Sequence, residues 1–250
     1  MQNTACFRSF VMLLLTNVRI RLIKKGLTHS MTLILASASP RRRALLQQIG
    51  VEFQVECSDV EEVKDASLNP EALVQKLALQ KAQAVATLHK DGLVLGADTI
   101  VVNDGFVLGK PASEAEAAQM LGGLSGKWHQ VMTAVALVDA SGKQAPWVAV
   151  EKTGVKFRAL SQADIAAYLA TGESMDKAGA YGIQGYGALL VEQIEGCYFN
   201  VVGLPLQKVA AGLRNWGINL YAYNGLQDER ISAACPSAGA HGNVGCGETQ

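Results

Sequence analysis

From Thr32 to Trp216 the apolar positions follow two rhythms, short unbroken runs and helical spacing, and the switches between them mark the elements. Thr32 to Ala36 is an apolar run that predicts a buried strand. Ser39 and Pro40 then offer an N-cap with proline at the first helical position, opening a helix to about Gly50. Asn69-Pro70 opens a second helix whose leucines and alanines recur at helical spacing through Leu88, and Leu93 to Ala97 returns to strand. Thr99 to Val102, the turn Asn103-Asp104-Gly105 and Phe106 to Leu108 carry a hairpin signal, and Ser113 and Glu116 have capping-box spacing. Two long strands, Val131 to Val138 and Trp147 to Phe157, precede a helix capped by Ser161 and ending at Gly172. A hairpin around Glu195-Gly196 and a helix from Pro205 to Trp216 follow. This alternation predicts an α/β domain with a mixed, twisted sheet and flanking helices.

Both ends fall outside that pattern. Residues 1–30 are basic through Arg8, Arg19, Arg21, Lys24 and Lys25, and no Asp or Glu precedes Glu52. The apolar run Phe10 to Leu15 is far shorter than the roughly 20 residues that span a bilayer, and no small-residue cleavage site follows it. Met31 stands directly before the first strand, so the stretch reads as an extension: an upstream start, or a leader resembling an organelle transit peptide. Beyond Gly217 the composition shifts to Gly, Ala, Ser and Asn without apolar periodicity, which predicts a flexible tail over 219–250. The domain itself is expected over 31–218.

The 250 residues, 49% hydrophobic and 18% charged, suffice for one buried core. Lys+Arg and Asp+Glu both total 22, so no global field favours nucleic acid or a membrane surface, and a polyanionic ligand has to be held locally. The five cysteines are scattered, with no C-x-x-C pair. That argues against a disulfide framework or zinc site and for the reducing cytoplasm. The four histidines are dispersed, and neither a P-loop nor a G-x-S-x-G elbow occurs.

The chemistry concentrates elsewhere. Ala36 to Arg43 puts Ser37, Ser39 and three arginines where a strand turns into a helix. Free backbone N–H groups and the positive helix end point outward there, and arginine forks match phosphate oxygens bidentately. The bland reading is a cap with a hydrated basic face. Asp98 is expected at the mouth of the same sheet, with Gly96 and Ala97 leaving room beside it. A carboxylate there can take a proton from an attacking water or bind a divalent cation that accompanies a triphosphate, or it can merely close a turn. Glu61 and Glu62 form a second carboxylate cluster that could share the metal. Lys81 and Lys110 can clamp phosphate or remain solvated. The Gly-rich stretch Gly179 to Gly185 lets backbone approach a ligand and presents Gln184, whose amide both donates and accepts toward a base edge.

Ser37-x-Ser39-Pro40-Arg41-Arg42, Gly96-Ala97-Asp98-Thr99, Gly109-Lys110-Pro111, the run from Asp176 to Gly185, and Val202-Gly203-Leu204-Pro205 occur in the order and spacing of Maf proteins. The chain resembles that family over about Met31 to Ile218. The resemblance implies a fold similar to the inosine triphosphate pyrophosphatases, two lobes around a deep cleft, and often a homodimer. It implies metal-dependent hydrolysis between the α- and β-phosphates of a nucleotide, with Mg2+, Mn2+ or Co2+. By the same resemblance Asp98 is the proton acceptor, and Ser37, Ser39, Arg42, Glu62, Lys81 and Lys110 line the phosphate and metal site, Glu62 and Asp98 on the metal. Arg41, Thr99 and Gln184 match the branch acting on dTTP and UTP, where the 7-methyl-GTP branch shows Trp, Gln and Glu. Modified pyrimidine nucleotides fit the same expectation. The rival is a non-catalytic nucleotide-binding regulator, since Maf proteins are also linked to septum formation and cell division.

Overall fold

The computed structural model describes residues 20–24, 27–57 and 67–223. Within the basic N-terminal stretch, β1 (Ile20–Lys24) and β2 (Leu27–Met31) pair antiparallel as a small sheet of their own. The main sheet has seven strands: β3 (Leu33–Ala36), β4 (Gln54–Val55), β5 (Leu93–Asn103), β6 (Phe106–Leu108), β7 (Trp128–Asp139), β8 (Trp147–Phe157) and β9 (Val191–Glu195). Their order is β4-β3-β5-β7-β8-β9, with β6 beside the far end of β5. The β4-β3-β5 pairs are parallel and the others antiparallel, giving the mixed sheet expected.

Side chains alternate across the sheet, so each face feeds a separate core. Leu33, Leu35, Leu93 and Leu95 pack with Leu45 and Leu46 of α1 (Pro40–Gln48) and with Val209 and Leu213 of α6 (Leu206–Asn215). On the opposite face Ile34, Val94, Ala134 and Ala136 meet Val74, Ala78, Ala82 and Val85 of α2 (Pro70–Ala86). A third core joins α3 (Glu114–Leu124) and α4 (Gln162–Leu169) to Val155, Phe157 and Tyr181. The caps read from the sequence are made: Ser39, Asn69, Ser113 and Ser161 each accept a backbone N–H in the first turn of their helix.

Three expectations are corrected. The strand break at Asp98 is not there: β5 runs unbroken from Leu93 to Asn103, held along one side by register with β7 from Leu93↔Asp139 to Val102↔Gln130. The β-branched run Thr99 to Val102 suits strand throughout. The hairpin at Glu195-Gly196 is not formed either, because Gly196, at φ 122°, turns β9 into α5 (Tyr198–Val202) rather than a return strand. Finally, the start of the predicted tail is structured. Leu220 packs against the core that α6 covers, at the start of α7 (Leu220–Tyr223). The rest of the tail and residues 1–19 lie outside the described residues. Among the described residues no helix is long and apolar enough to cross a membrane.

The continuity of β5 creates the opening that the rest of the site uses. Leu93 to Gly96 pair with β3, and Val101 to Asn103 pair with β6. Residues 97–100 keep β7 on one side and have no strand on the other, because β3 stops at Ala36 and β6 begins beyond the gap. Beside the gap, α2 lies so close on β5 that a Cβ added to Gly96 would stand 2.5 Å from the Ala78 carbonyl oxygen and 2.8 Å from the Ala82 Cβ. Only glycine permits that approach. Gly96→Ala is therefore expected to lower unfolding free energy by about 1–3 kcal/mol, the usual cost of overpacking, measured as a reduced urea midpoint.

Candidate active site

The segment from Ala36 to Arg43 folds around Arg42. Ser37 is buried at the end of β3, and its Oγ accepts from the Ser39 backbone N–H at 3.3 Å and from Arg42 Nη1 at 3.2 Å. Arg42 Nε donates to the Gly203 carbonyl at 2.8 Å, and Nη2 donates to Thr99 Oγ1 at 3.0 Å. The guanidinium is thus fixed by three elements: the turn after β3, the gap in β5 and the C-terminal end of α5. Gly203, at φ 119°, ends that helix in a left-handed conformation suited to glycine.

Asp98 faces the same gap, 7% exposed, with Lys81 Nζ 2.5 Å from Oδ1. Lys81 reaches it because α2 is drawn onto Gly96, so the lysine read from the sequence as a phosphate clamp sits directly against the candidate acid. Asp98 itself occupies the middle of a strand rather than its tip. The mouth of the sheet is made there by the departure of β3.

The opposite wall comes from the Gly-rich segment. Gly179 donates to the Gly109 carbonyl at 3.0 Å, tying this loop to the one that carries Lys110. Gly179 has φ 67°, and a Cβ there would meet the Val101 side chain at 3.1 Å, so both conformation and space call for glycine. Gln184 and Lys110 are exposed at the rim. Arg41 Nη2 lies 3.9 Å from Asp176 Oδ2, and Lys177 Nζ donates to Asp176 Oδ1 at 2.6 Å and to the Glu173 carbonyl. Burial opposes charge on Asp176, but Lys177 and Arg41 outweigh it and hold its carboxyl below the usual range.

These walls enclose a cavity of about 600 Å³, within the range of small-molecule sites. Ser37, Ser39, Arg41, Arg42, Lys81, Asp98, Thr99, Lys110 and Gln184 all line it. Arg43 does not; it is exposed on the outer side of α1. Glu61 and Glu62 lie outside the described residues. Sequence reasoning passed over the roles of Asp176, Lys177 and the Gly203 carbonyl, although all three fall inside motifs it had marked. It also passed over Thr133 and Asn200, which stand behind the site and carry no local signal.

No cluster of three or more His, Cys, Asp or Glu side chains suited to a metal occurs among the described residues. Asp98 nonetheless presents a hard oxygen donor on the cavity wall it shares with Arg42. That fits an Mg2+-like ion, which takes one or two carboxylates and completes its shell with substrate phosphate oxygens and water.

Behind the Gly-rich wall, Tyr181 is anchored by His129, whose Nε2 lies 2.7 Å from the phenol oxygen; both pack edge-on against Phe157. Burial pulls the His129 imidazole down from 6.5 to about 4. Between those values the unfolded chain binds a proton that the folded chain refuses, so stability rises with pH across that window and is lost as pH falls through it. A gap of that size corresponds to about 3 kcal/mol. The thermal midpoint should drop on acidification from pH 6.5 to 4.5, and His129→Gln should flatten that profile in calorimetry.

The sequence pattern of the family described as Maf-like protein matches residues 32–216. A protein of Desulforamulus reducens named dTTP/UTP pyrophosphatase is 49% identical over 188 residues, 75% of this chain and 98% of its own. Proteins of the same name from Moorella thermoacetica and Gloeobacter violaceus are 54% identical over 189 residues and 55% identical over 175 residues. The first covers 76% of this chain and 97% of its own, the second 70% and 90%. Among solved structures, a HAM1 protein from Coxiella burnetii matches 82% of this chain and 100% of its own at 16% identity and a TM-score of 0.43, too weak a likeness to carry an argument. The matched stretch takes in the whole main sheet and every described residue named above as lining the cavity, and this chain belongs to the Maf-like protein family.

Proposed function

We propose that this chain hydrolyses dTTP and UTP to the nucleoside monophosphate and pyrophosphate. The observation that carries the reading is the convergence of Arg42 and the Lys81–Asp98 pair on one cavity in the gap of β5. The relatives named dTTP/UTP pyrophosphatase support it. Arg41, Arg42 and Lys110 hold the triphosphate, with the donors of Ser37 and Ser39 beside them. Such donors act most strongly where they are already oriented before charge develops, and the bonds from Arg42 to Gly203, Ser37 and Thr99 supply that orientation.

Asp98 accepts the proton of the attacking water as its oxygen bonds to the α-phosphorus. The bond from that phosphorus to the α–β bridging oxygen breaks, and pyrophosphate leaves. Lys81, against Asp98 Oδ1, keeps the carboxylate aimed. A divalent cation (Mg2+, Mn2+ or Co2+) would be held by Asp98 and Glu62 and would supply charge neutralisation on the phosphate oxygens. Gln184 reads the base: its amide donates to a carbonyl and accepts from the imide N–H of uracil or thymine. Arg41 completes the specificity set. The scattered cysteines, without a C-x-x-C pair, and the nucleotide substrate support a cytoplasmic location.

Asp98→Asn preserves shape and removes the proton acceptor, so pyrophosphate release from dTTP should fall at least about a hundredfold, the scale of general-base catalysis. A phosphate-release assay coupled to inorganic pyrophosphatase, with Mg2+ or Mn2+, reads this; near-wild-type turnover would refute the role. In the same assay Gln184→Glu should raise KM for dTTP and UTP about tenfold, because a carboxylate cannot donate to the base carbonyl. Unchanged kinetics would remove Gln184 from base recognition.

A further inference from the structure

The bonds around Arg42 continue into the core, and their direction is fixed by chemistry. A guanidinium only donates, so Thr99 Oγ1 accepts from Arg42 Nη2. At the other end Thr133 Oγ1 lies 2.9 Å from the Asn200 carbonyl, which only accepts, so the Thr133 hydroxyl hydrogen is committed there. The remaining link, Thr99 Oγ1 to Thr133 Oγ1 at 2.9 Å, is therefore donated by Thr99. The chain runs one way, from Arg42 through Thr99 and Thr133 to the main chain of α5.

The second route from Arg42 ends on the same short helix, since Nε donates to the Gly203 carbonyl three residues further on. Guanidinium, two hydroxyls and α5 close a circuit. The helix is itself pinned: Asn200 Nδ2 donates to the Val131 carbonyl and to Thr153 Oγ1, both at 2.9 Å, while Thr153 also bonds the backbone of Cys197. Thr133 and Asn200 are 0% exposed, so water cannot replace a lost partner.

We propose that Thr133 and Asn200 are positioning residues, which hold the plane of the Arg42 guanidinium through this circuit and so set phosphate affinity and turnover without touching substrate. The inference rests on the triphosphatase reading of the site. It also reassigns Thr99. With its oxygen accepting from Arg42 and its hydrogen given to Thr133, that residue acts on the phosphate end, through Arg42, rather than by donating to the base.

The test combines Thr133→Val, Thr133→Ser and Thr99→Val with the double variant Thr99→Val/Thr133→Val. Thr133→Val should lower kcat/KM for dTTP and UTP equally, by about tenfold, the order expected when a catalytic group is slightly misplaced. Its affinity for inorganic pyrophosphate should weaken by a similar factor in calorimetry. Thr133→Ser, which keeps the hydroxyl, should stay within about threefold of wild type. Because Thr133 acts through Thr99, the double variant should be no worse than Thr99→Val alone. Leu213→Ala, a buried change in α6 away from the cavity, should lower stability but leave turnover per folded molecule unchanged. Additive losses in the double variant, a tenfold loss in Thr133→Ser, or wild-type pyrophosphate affinity in Thr133→Val would each overturn the circuit. A wild-type protein without turnover on dTTP and UTP would overturn the proposed function instead, and the pyrophosphate affinities would still decide the circuit.

Discussion

One strand changes partner along its length, and the site depends on it. β5 keeps β7 on one side throughout, while on the other side β3 leaves after Ala36 and β6 joins only at Val101. Backbone polar groups in a sheet demand partners, and the exchange leaves a short stretch of β5 with no strand on its open side. Asp98 and Thr99 stand in that stretch, Arg42 bonds into it, and α2 brings Lys81 beside it. The approach of α2 at Gly96 is the steric condition that lets those groups meet.

The chain carries equal numbers of cationic and anionic side chains, yet the described cavity wall gathers Arg41, Arg42, Lys81, Lys110 and Lys177 against only Asp98 and Asp176. A polyanion is therefore attracted at short range, where charges are partly desolvated and interact strongly, rather than steered by a field around the whole molecule. Salt should screen the exposed Lys110 more than the half-buried Arg41 and Arg42.

Local chemistry made much of this legible in the sequence. The caps at Ser39, Asn69 and Ser161 depend on a few neighbouring residues, and they were found where expected. The five motifs hold eight of the nine candidate residues that line the cavity, and the ninth, Lys81, stands on α2. What stayed hidden was non-local. The continuity of β5 through Asp98 is imposed by pairing with β7, which no window around residue 98 contains. The helix α5 that follows Gly196 is pinned by Asn200 meeting Thr153 of β8, 47 residues away in the chain. Thr133 looks in sequence like any other β-branched residue of a central strand, because its importance comes from neighbours 34 and 67 residues away.

The proposed phosphate and base functions rest on different kinds of backbone. Asp98, Thr99 and Lys81 belong to a central strand and a long helix, and Arg42 is tied to both a strand and a helix end. Gln184 sits on the glycine-rich loop, which Gly179 joins to the loop after β6 and which also carries Tyr181. A scaffold divided in this way can take new side chains on the loop, and so accept a different nucleobase, while the bond-breaking geometry on the sheet stays as it is.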